Sequence, residues 1–358
     1  MLNRVGSFAG SAQFTYQVGS MQTQMNQLVG EVSSGQVANP EASLGTNAAL
    51  LYQLQYQSDQ QTGLQTSITT ASQQLDTVQT ALTSLASSVQ TITTASQSIQ
   101  AGDSAGIAPL ASEATSTIQQ VLSLLNTSFA GSGVFSGDNG AAQPMQPADA
   151  AGGLTSITQN VLSAAVAANG GPLSASNISA LINGPNGLAS VFNDTNSDPT
   201  QRYSGAIYTG STDGQPTSVI VGTNQTVQYD ASANQPAFRD LLQGLSMLSM
   251  VNAPSSQLDS TAQAQLLSQA SSLLGAAQNE ITNLQGNLGS VQSSLTAASS
   301  AQTAAATATQ AQITNYLQAN TYADSTQLTQ LQTQLQATYS LTSQISQLSL
   351  VHYMPTTA

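Results

Sequence analysis

Apolar residues recur at alternating intervals of four and three near the N-terminal end of the chain, and mostly at intervals of three or four near the C-terminal end. This spacing places them along one narrow face of a helix, the pattern by which helices pair in coiled coils. We therefore predict one helix at each end and an assembly seam formed by their two apolar faces. On the N-terminal helix the seam consists of Phe14, Val18, Met21, Met25, Leu28 and Val32. On the C-terminal helix it consists of Leu328, Leu331, Leu335, Tyr339, Leu341, Ile345 and Leu348.

The same spacing continues in two longer segments, which we predict as helices over about 46–100 and 258–318. A helix rises about 1.5 Å per residue, so these helices are roughly 80 and 90 Å long and match in length. An antiparallel pair would bury both apolar faces in the core of a rod. The rod-core residues are Leu64, Ile68, Leu75, Val78, Leu82, Leu85, Val89 and Ile92 on the first helix and Ile281, Leu284, Leu288, Val291 and Leu295 on the second.

Helix-start signals accompany two of these segments. Asn39, Pro40 and Glu41 have the residue types expected of an N-cap, a first-turn proline and an acid at the positive end of the helix dipole. The last helix is predicted to begin at Asp324, with Gln327 three residues later completing a capping box. The second helix and the last helix therefore each have a predicted start signal.

Between the long helices the character of the sequence changes. A third helix is predicted after Pro109, followed by a short hairpin in the glycine-rich segment 131–137. Prolines and glycines then concentrate over 140–255, which predicts a compact insert. Its predicted strands are 206–209, 217–221 and 226–229, with a turn at Asp213-Gly214, and its predicted helices are 154–168 and 238–251.

The fold predicted from this order is mainly α. Both chain ends form a long antiparallel coiled-coil or helical-bundle rod, and a small α+β domain is inserted between its halves. The division is 1–45 for the N-terminal assembly helix and linker, 46–139 and 256–318 for the two halves of the rod, 140–255 for the insert and 319–358 for the C-terminal assembly helix, which pairs with the first.

Composition narrows the possible functions. Only 5% of the residues are charged, there are three basic residues and no lysine, and the net charge is −13. Nucleic-acid binding needs clustered Lys and Arg, and a P-loop needs a lysine, so both are excluded. The absence of cysteine excludes disulfides and thiolate chemistry. No apolar run is long enough for a membrane span, and no cleaved secretory signal is expected at the N-terminus.

Candidate catalytic and metal sites are few and incomplete. His352 is the only histidine, so neither a Ser-His-Asp triad nor a two-histidine zinc motif has its parts. Asp194, Asn196 and Asp198 imitate the start of a calcium loop, but Pro199 stands where such a loop needs glycine. Weak binding of a cation by that loop is the remaining alternative. We predict no catalytic residues, no cofactor and no metal site, and therefore no enzyme.

Terminal helices of this kind are marginal as an isolated pair. Burial of one narrow row of apolar side chains gains less free energy than ordering the residues of such a helix costs, and modest net hydrogen-bond energies reduce the difference only in part. We expect these helices to fold fully only when further copies of the chain surround them. Uncharged Ser, Thr and Gln faces would permit such dense packing.

Several segments resemble the bacterial flagellin superfamily, and within it the hook-associated proteins of the hook–filament junction. Residues 21–35, ending in Val-Ser-Ser-Gly, are similar to the end of the family's first helix, and 64–82 to its long rod helix. Segment 126–137 (NTSFAGSGVFSG) and the C-terminal run 328–353, with Leu348-Ser349-Leu350 followed by Tyr353, resemble the junction proteins. Gln36 departs from the family pattern, which has a basic residue there.

The resemblance implies a secreted structural subunit of the flagellum, located at the hook–filament junction. It implies export through the flagellar type III apparatus and binding of a cytoplasmic export chaperone by the C-terminal region. The implied partners are the chain itself, the other hook-associated protein and flagellin. Two alternatives remain: a flagellin of the filament, and a surface adhesin that binds through the insert.

Overall fold

The computed structural model describes the backbone of residues 2–99, 104–141 and 143–351. Side chains are described for 13–99, 105–141 and 143–344. The structure is 74% helical, with long helices and a small strand-containing region. The mainly α fold with an inserted α+β region is therefore confirmed.

The chain divides into two compact units. Met1–Thr62 and Thr303–Ala358 form the first, which we call the terminal unit, and Gly63–Gln302 form the second, the central unit. Each is described by itself. The terminal unit is built from both ends of the chain, whereas the central unit is one continuous segment that includes the insert.

Helices supply nearly all of the regular structure. They are α1 (Leu2–Ser34), α2 (Pro40–Leu44), α3 (Ala48–Ser98), α4 (Ser104–Leu125), α5 (Leu154–Asn169), α6 (Ala175–Asn183), α7 (Leu188–Phe192), α8 (Pro236–Met250), α9 (Ser260–Leu317) and α10 (Thr321–Val351). The strands pair as two antiparallel hairpins, β1 (Ser128–Phe129) with β2 (Ser132–Gly133) and β3 (Thr217–Gly222) with β4 (Gln225–Tyr229).

Within the central unit, α3 and α9 run antiparallel. Their apolar faces share one continuous core with α4 and α8. Uncharged hydrogen bonds cross the pair beside this core: Gln65 donates to the Ser299 hydroxyl at 2.7 Å, and Gln79 donates to the Gln285 carbonyl at 3.0 Å. Side-chain amides thus occupy flanking positions where coiled coils commonly place ion pairs.

The two long helices agree with their predicted bounds to within two residues. The start signal at Asn39 is also confirmed, since its side chain accepts a hydrogen bond from the Ala42 amide at 3.2 Å. It begins the short helix α2, however, and not the long one. Gly45, at φ +52°, lies between α2 and α3.

Two predicted helix starts are wrong. The third helix begins at Ser104, so Pro109 lies inside α4. Because proline has no backbone N–H, Pro109 removes one hydrogen bond from the first turns of α4. Burial of Ile107 and Leu110 stabilises these turns. The last helix begins before Asp324, because Asn320 accepts the Ala323 amide at 3.2 Å and caps it one turn earlier.

The insert contains more helix than its glycines and prolines suggested. The helices predicted at 154–168 and 238–251 are present as α5 and α8. Helices α6 and α7 were missed, because α7 has only five residues and each helix adjoins a glycine, the usual mark of a loop. Helix α8 packs against α4, α5 and α7 and forms the centre of this region.

The strands predicted at 217–221 and 226–229 are present as β3 and β4, the hairpin predicted in 131–137 lies at 128–133, and the strand predicted at 206–209 is absent. The first hairpin turns at Ala130 and Gly131, both at positive φ. The segment before Tyr208 is a kinked π-helical turn. The buried rings of Tyr203 and Tyr208 stack at 6.0 Å, so aromatic packing overrides strand propensity there. Because 206–209 is not a strand, Asp213-Gly214 joins no pair of strands.

Candidate assembly surface

The terminal unit is organised by an antiparallel pairing of α1 and α10. Where the two helices meet the rest of the unit, the Val37 amide donates to the Leu317 carbonyl at 2.8 Å and the Ala319 amide donates to the Gly35 carbonyl at 2.9 Å. Farther along the pair, the side-chain amide of Gln22 donates to the Tyr339 hydroxyl at 3.1 Å. These contacts fix the register of the first helix against the last.

The end of α1 is shaped by its own sequence. Gly35 has φ +68°, in the left-handed region that glycine adopts without strain, and its amide donates to the Glu31 carbonyl at 2.8 Å. The Glu31 carboxylate then accepts the Ala38 amide at 2.9 Å. A glycine C-cap and one acid thus direct the chain toward α2. Gln36, where the family pattern has a basic residue, forms a backbone bridge with Gln318.

The predicted seam residues of α1 are only partly protected from water. Leu28 is buried, with 7% of its surface exposed. The other five are half-buried: Phe14, Val18, Met21, Met25 and Val32. Pairing with one helix therefore covers one side of this apolar face and leaves the rest accessible.

The predicted seam residues of α10 show the same partial burial. Leu331 is buried, and Leu328 and Leu335 are half-buried. Tyr339 and Leu341 keep 49% and 50% of their surfaces exposed. Ile345 and Leu348 lie in the part of α10 whose side chains are outside the described residues.

The predicted rod-core residues are much more completely covered. Leu64 and Val291 are half-buried. The others are buried within the central unit: Ile68, Leu75, Val78, Leu82, Leu85, Val89, Ile92, Ile281, Leu284, Leu288 and Leu295.

A second small core in the terminal unit was not predicted. Leu51 and Leu54 of α3 pack with Ile313 of α9, and the three are 1%, 7% and 6% exposed. Their spacing continues the heptad pattern of α3 toward its start, but Gln61 occupies the next inward position and is itself buried. A polar residue in an apolar repeat hid the continuation. This small core holds the start of α3 against the end of α9.

Exposed large apolar side chains concentrate in the terminal unit. Of the described residues in this class, only Ile220 belongs to the central unit. The others are Tyr16, Val29, Leu50, Tyr52, Tyr56, Tyr322, Tyr339 and Leu341. Clusters of exposed apolar side chains are typical of surfaces that bind other proteins.

The loop of the central unit that contains Asp194, Asn196 and Asp198 is organised by an ion pair and by hydrogen bonds to protein groups. Asp194 forms an ion pair with Arg239 at 2.8 Å and accepts the Ser204 amide and hydroxyl, both at 2.7 Å. Asp198 caps a short 3₁₀ turn by accepting the Thr200 amide at 2.9 Å. Among the described residues, no three His, Cys, Asp or Glu side chains converge on a possible metal position.

Arg239 is the centre of this loop region. Its guanidinium donates to the Phe192 carbonyl and to the Asn234 side chain, and lies 4.6 Å from the centre of the Tyr203 ring. Desolvation raises the pKa of Asp194, but the hydrogen bonds from Ser204 and the charge of Arg239 outweigh it and hold the pKa below its usual range. The pair is structural, since each nitrogen of the guanidinium and each oxygen of the carboxylate contacts a neighbouring protein group.

His352 lies outside the described residues, so the structure adds nothing to the sequence argument about it. Over the described helices, none is both long and apolar enough to cross a membrane. What the described residues do offer is the partly exposed apolar face of α1 and α10.

Comparison with protein-family models gives two matches, in the same order along the chain as the two predicted ends. Residues 9–140 match the bacterial flagellin N-terminal helical region. Residues 271–354 match the bacterial flagellin C-terminal helical region. A search of curated protein sequences found no match. The matched regions include most of α1 and of α9 and the whole of α3, α4 and α10, and they exclude nearly all of the insert.

Proposed function

The chain belongs to the bacterial flagellin superfamily, and we propose that it is the junction subunit that connects the hook to the filament. A structural role in the flagellum follows from the two family regions. The C-terminal ending around Leu348-Ser349-Leu350 and Tyr353 supports the position at the junction, since it resembles the junction proteins more than the filament flagellins. The subunit acts by assembly and carries out no catalysis.

One observation supports assembly through the chain ends: the seam is half-covered. Side chains such as Val18, Met25 and Leu335 are apolar, regularly spaced and still partly exposed after α1 and α10 have paired. Burial of the remaining area against neighbouring copies is the favourable step that the isolated chain lacks. Exposed Ser, Thr and Gln on the flanks add no long-range repulsion.

Export precedes assembly in this proposal. The chain passes unfolded through the flagellar type III apparatus, with its C-terminal region bound beforehand by a cytoplasmic chaperone. Outside the cell it joins a ring between the other hook-associated protein and the first flagellin subunits. The same seam serves a filament flagellin equally well, so the position in the flagellum has to be measured.

Deletion of the gene tests the position. Loss of a junction subunit leaves flagellin made but shed into the medium, and the cells lose motility. Complementation with the wild-type gene restores motility, whereas a Val18→Asp/Leu335→Asp variant does not, because a charge in the seam cannot be buried. A Thr282→Asp variant, at an exposed site of α9 away from the seam, is the matched control and restores motility.

Three results contradict the proposal. Absence of any shed flagellin, together with many copies of the chain per filament, identifies a filament flagellin. Normal motility with lost attachment identifies an adhesin. Full complementation by the seam variant would show that the terminal helices do not assemble through this face.

A further inference from the structure

All the sulfur of the chain is in methionine. The sequence contains seven methionines and no cysteine. A hydroperoxide, which oxidises sulfur by two electrons, therefore finds only thioethers to react with. The structure describes the side chains of five of the seven. How readily each one reacts depends on how far the fold covers it.

Three methionines of the central unit are closed off from solvent. Met145 and Met247 are each 1% exposed and Met250 is 6% exposed, all within the large core of this unit. The Tyr203 hydroxyl also lies 3.9 Å from the Met145 sulfur. An oxidant in solution reaches these side chains only when the central unit opens, so we expect them to react slowly in the folded chain.

Two methionines of α1 are in the opposite situation. Met21 and Met25 lie in the middle of the predicted seam, four residues apart and therefore one above the other on the same side of the helix. Both stay half-buried after α1 has paired with α10. Among the methionines whose side chains are described, only these two are partly exposed. We call them the seam methionines, and they lie on the face that assembly has to bury.

Oxidation changes the character of this face without breaking the chain. The thioether sulfur attacks one oxygen of a hydroperoxide, and the O–O bond breaks. The oxygen passes to the sulfur, which is oxidised by two electrons, and the other oxygen takes up the proton and leaves as water or an alcohol. The product, methionine sulfoxide, is polar. Val18 and Leu28, the neighbouring seam residues, have no side-chain donor for its oxygen, so burying it against another copy costs free energy.

We propose that Met21 and Met25 form an oxidation-sensitive site that controls assembly through the seam. A hydroperoxide converts both to sulfoxides in the unassembled chain and weakens its binding to further copies. In the assembled chain the same side chains are covered by neighbours and react slowly. Because methionine sulfoxide reductases reverse the reaction, the control is reversible. This inference rests on the proposed role as a subunit that assembles through α1 and α10.

The first test measures where the full-length chain is oxidised. The purified, unassembled chain is treated with hydrogen peroxide, and peptide mass spectrometry follows the uptake of oxygen at each methionine with time. We expect the seam methionines to react about tenfold or more faster than the three of the central unit. After assembly, their rates should fall toward those of the buried methionines. Equal rates at all five positions in the unassembled chain would overturn the inference.

The second test asks whether oxidation of these two residues causes the loss of assembly. Peroxide treatment should raise the concentration at which the wild-type chain associates by about tenfold or more, as measured by sedimentation velocity. Met21→Leu/Met25→Leu keeps apolar side chains of similar volume and should associate equally well before and after treatment. Met250→Leu is the matched control outside the seam, and its association should stay as sensitive to peroxide as that of the wild type.

Two further samples separate polarity from damage. Met21→Gln/Met25→Gln places a polar oxygen at each position and should associate as weakly as the oxidised wild type, without any peroxide. Incubation of the oxidised wild type with methionine sulfoxide reductases for both epimers and dithiothreitol should restore association. Thermal unfolding followed by circular dichroism checks that the central unit is intact in every sample.

The outcomes separate this inference from the proposed function. If the untreated wild-type chain does not associate at any concentration, both are overturned. If it associates, and peroxide either leaves association unchanged or weakens the double leucine variant as much as the wild type, only the oxidation-sensitive site is overturned. If the seam methionines react as fast after assembly as before it, assembly does not bury the seam, and the proposed mode of assembly is overturned as well.

Discussion

The central and terminal units have the same kind of apolar repeat and very different burial. Leu75, Leu82 and Leu85 in the central unit have no exposed surface, whereas Val18, Met25 and Leu335 in the terminal unit remain half-buried. In the central unit α4 and α8 join the α3–α9 pair in one core. In the terminal unit, no such additional helices complete the burial of the α1–α10 face among the described residues. A repeat therefore specifies a face, and the number of helices around that face specifies how well it is covered.

Matched leucine substitutions should give the largest difference between the units. We expect Leu85→Ala to lower the free energy of unfolding by about 2–5 kcal/mol, because it removes a fully buried side chain and leaves a cavity. We expect Leu335→Ala to cost about 1 kcal/mol or less in dilute solution, since its side chain already contacts water. Urea denaturation followed by far-UV circular dichroism measures both. Equal losses would contradict the comparison.

The half-buried ion pair of Arg239 and Asp194 is a stabilising feature of the central unit alone, as far as the described side chains go. Arg239→Ala should lower the free energy of unfolding by about 2–3 kcal/mol, because Asp194 loses its partner and the Phe192 carbonyl loses a charged donor. Arg202→Ala is the control, because the Arg202 side chain makes one hydrogen bond, to the Asn196 carbonyl. This substitution should lower the free energy of unfolding by about 1 kcal/mol or less. A loss no larger than that of the control would refute the role given to Arg239.

Close helix packing in the central unit can be tested with glycine. A Cβ atom at Gly244 of α8 would lie 2.9 Å from the Leu274 side chain of α9, so Gly244→Ala should cost about 1–3 kcal/mol through overpacking. Gly275→Ala, one residue beyond Leu274 and with open space around it, should instead stabilise by about 0.5–1 kcal/mol through helix propensity. Thermal unfolding of the two variants gives the comparison, and a stabilising Gly244→Ala would show that these helices are loosely packed.

The smallest expected effect concerns two carboxyl groups of the central unit. Burial raises the pKa of Glu280, the charge of Asp240 raises it further, and one Glu280 oxygen is buried without a hydrogen-bond partner. The native state then binds more protons than the unfolded state, so this group lowers stability as pH rises from about 4 through its raised pKa.

Glu280→Gln should therefore stabilise the chain slightly at pH 7, by less than about 1 kcal/mol, and flatten the dependence of stability on pH. Urea titrations at pH 4, 5.5 and 7 measure this. Glu113→Gln, for an exposed acid of α4, is the control and should change little. A loss of stability at pH 7 on Glu280→Gln would mean that the carboxylate has a favourable partner.

Much of the fold could be predicted because its signals are local. Four-three spacing is a property of neighbouring residues on one helix, and it gave the two long helices to within two residues. Asn39 followed by Pro40 is equally local and marked a real helix start. The errors arose where another interaction was stronger than the predicted one. Asn320, and not Asp324, caps α10, and the stacking of Tyr203 on Tyr208 is found where a strand was expected at 206–209.

The candidate assembly surface was predicted only in part. Its apolar positions could be read from the spacing, but spacing does not tell a half-covered residue such as Val18 from a fully covered one such as Leu82. The small core of Leu51, Leu54 and Ile313 was missed for a different reason, since the polar Gln61 interrupts the apolar repeat of α3.

The sequence by itself determined the two long helices, the direction of their apolar faces, the scarcity of charge and the family, since each depends on residue type and near-neighbour spacing. Only the tertiary structure decided which faces are closed and which stay open. The reason is physical: burial depends on every element that surrounds a side chain, and segments far apart in the chain supply those elements.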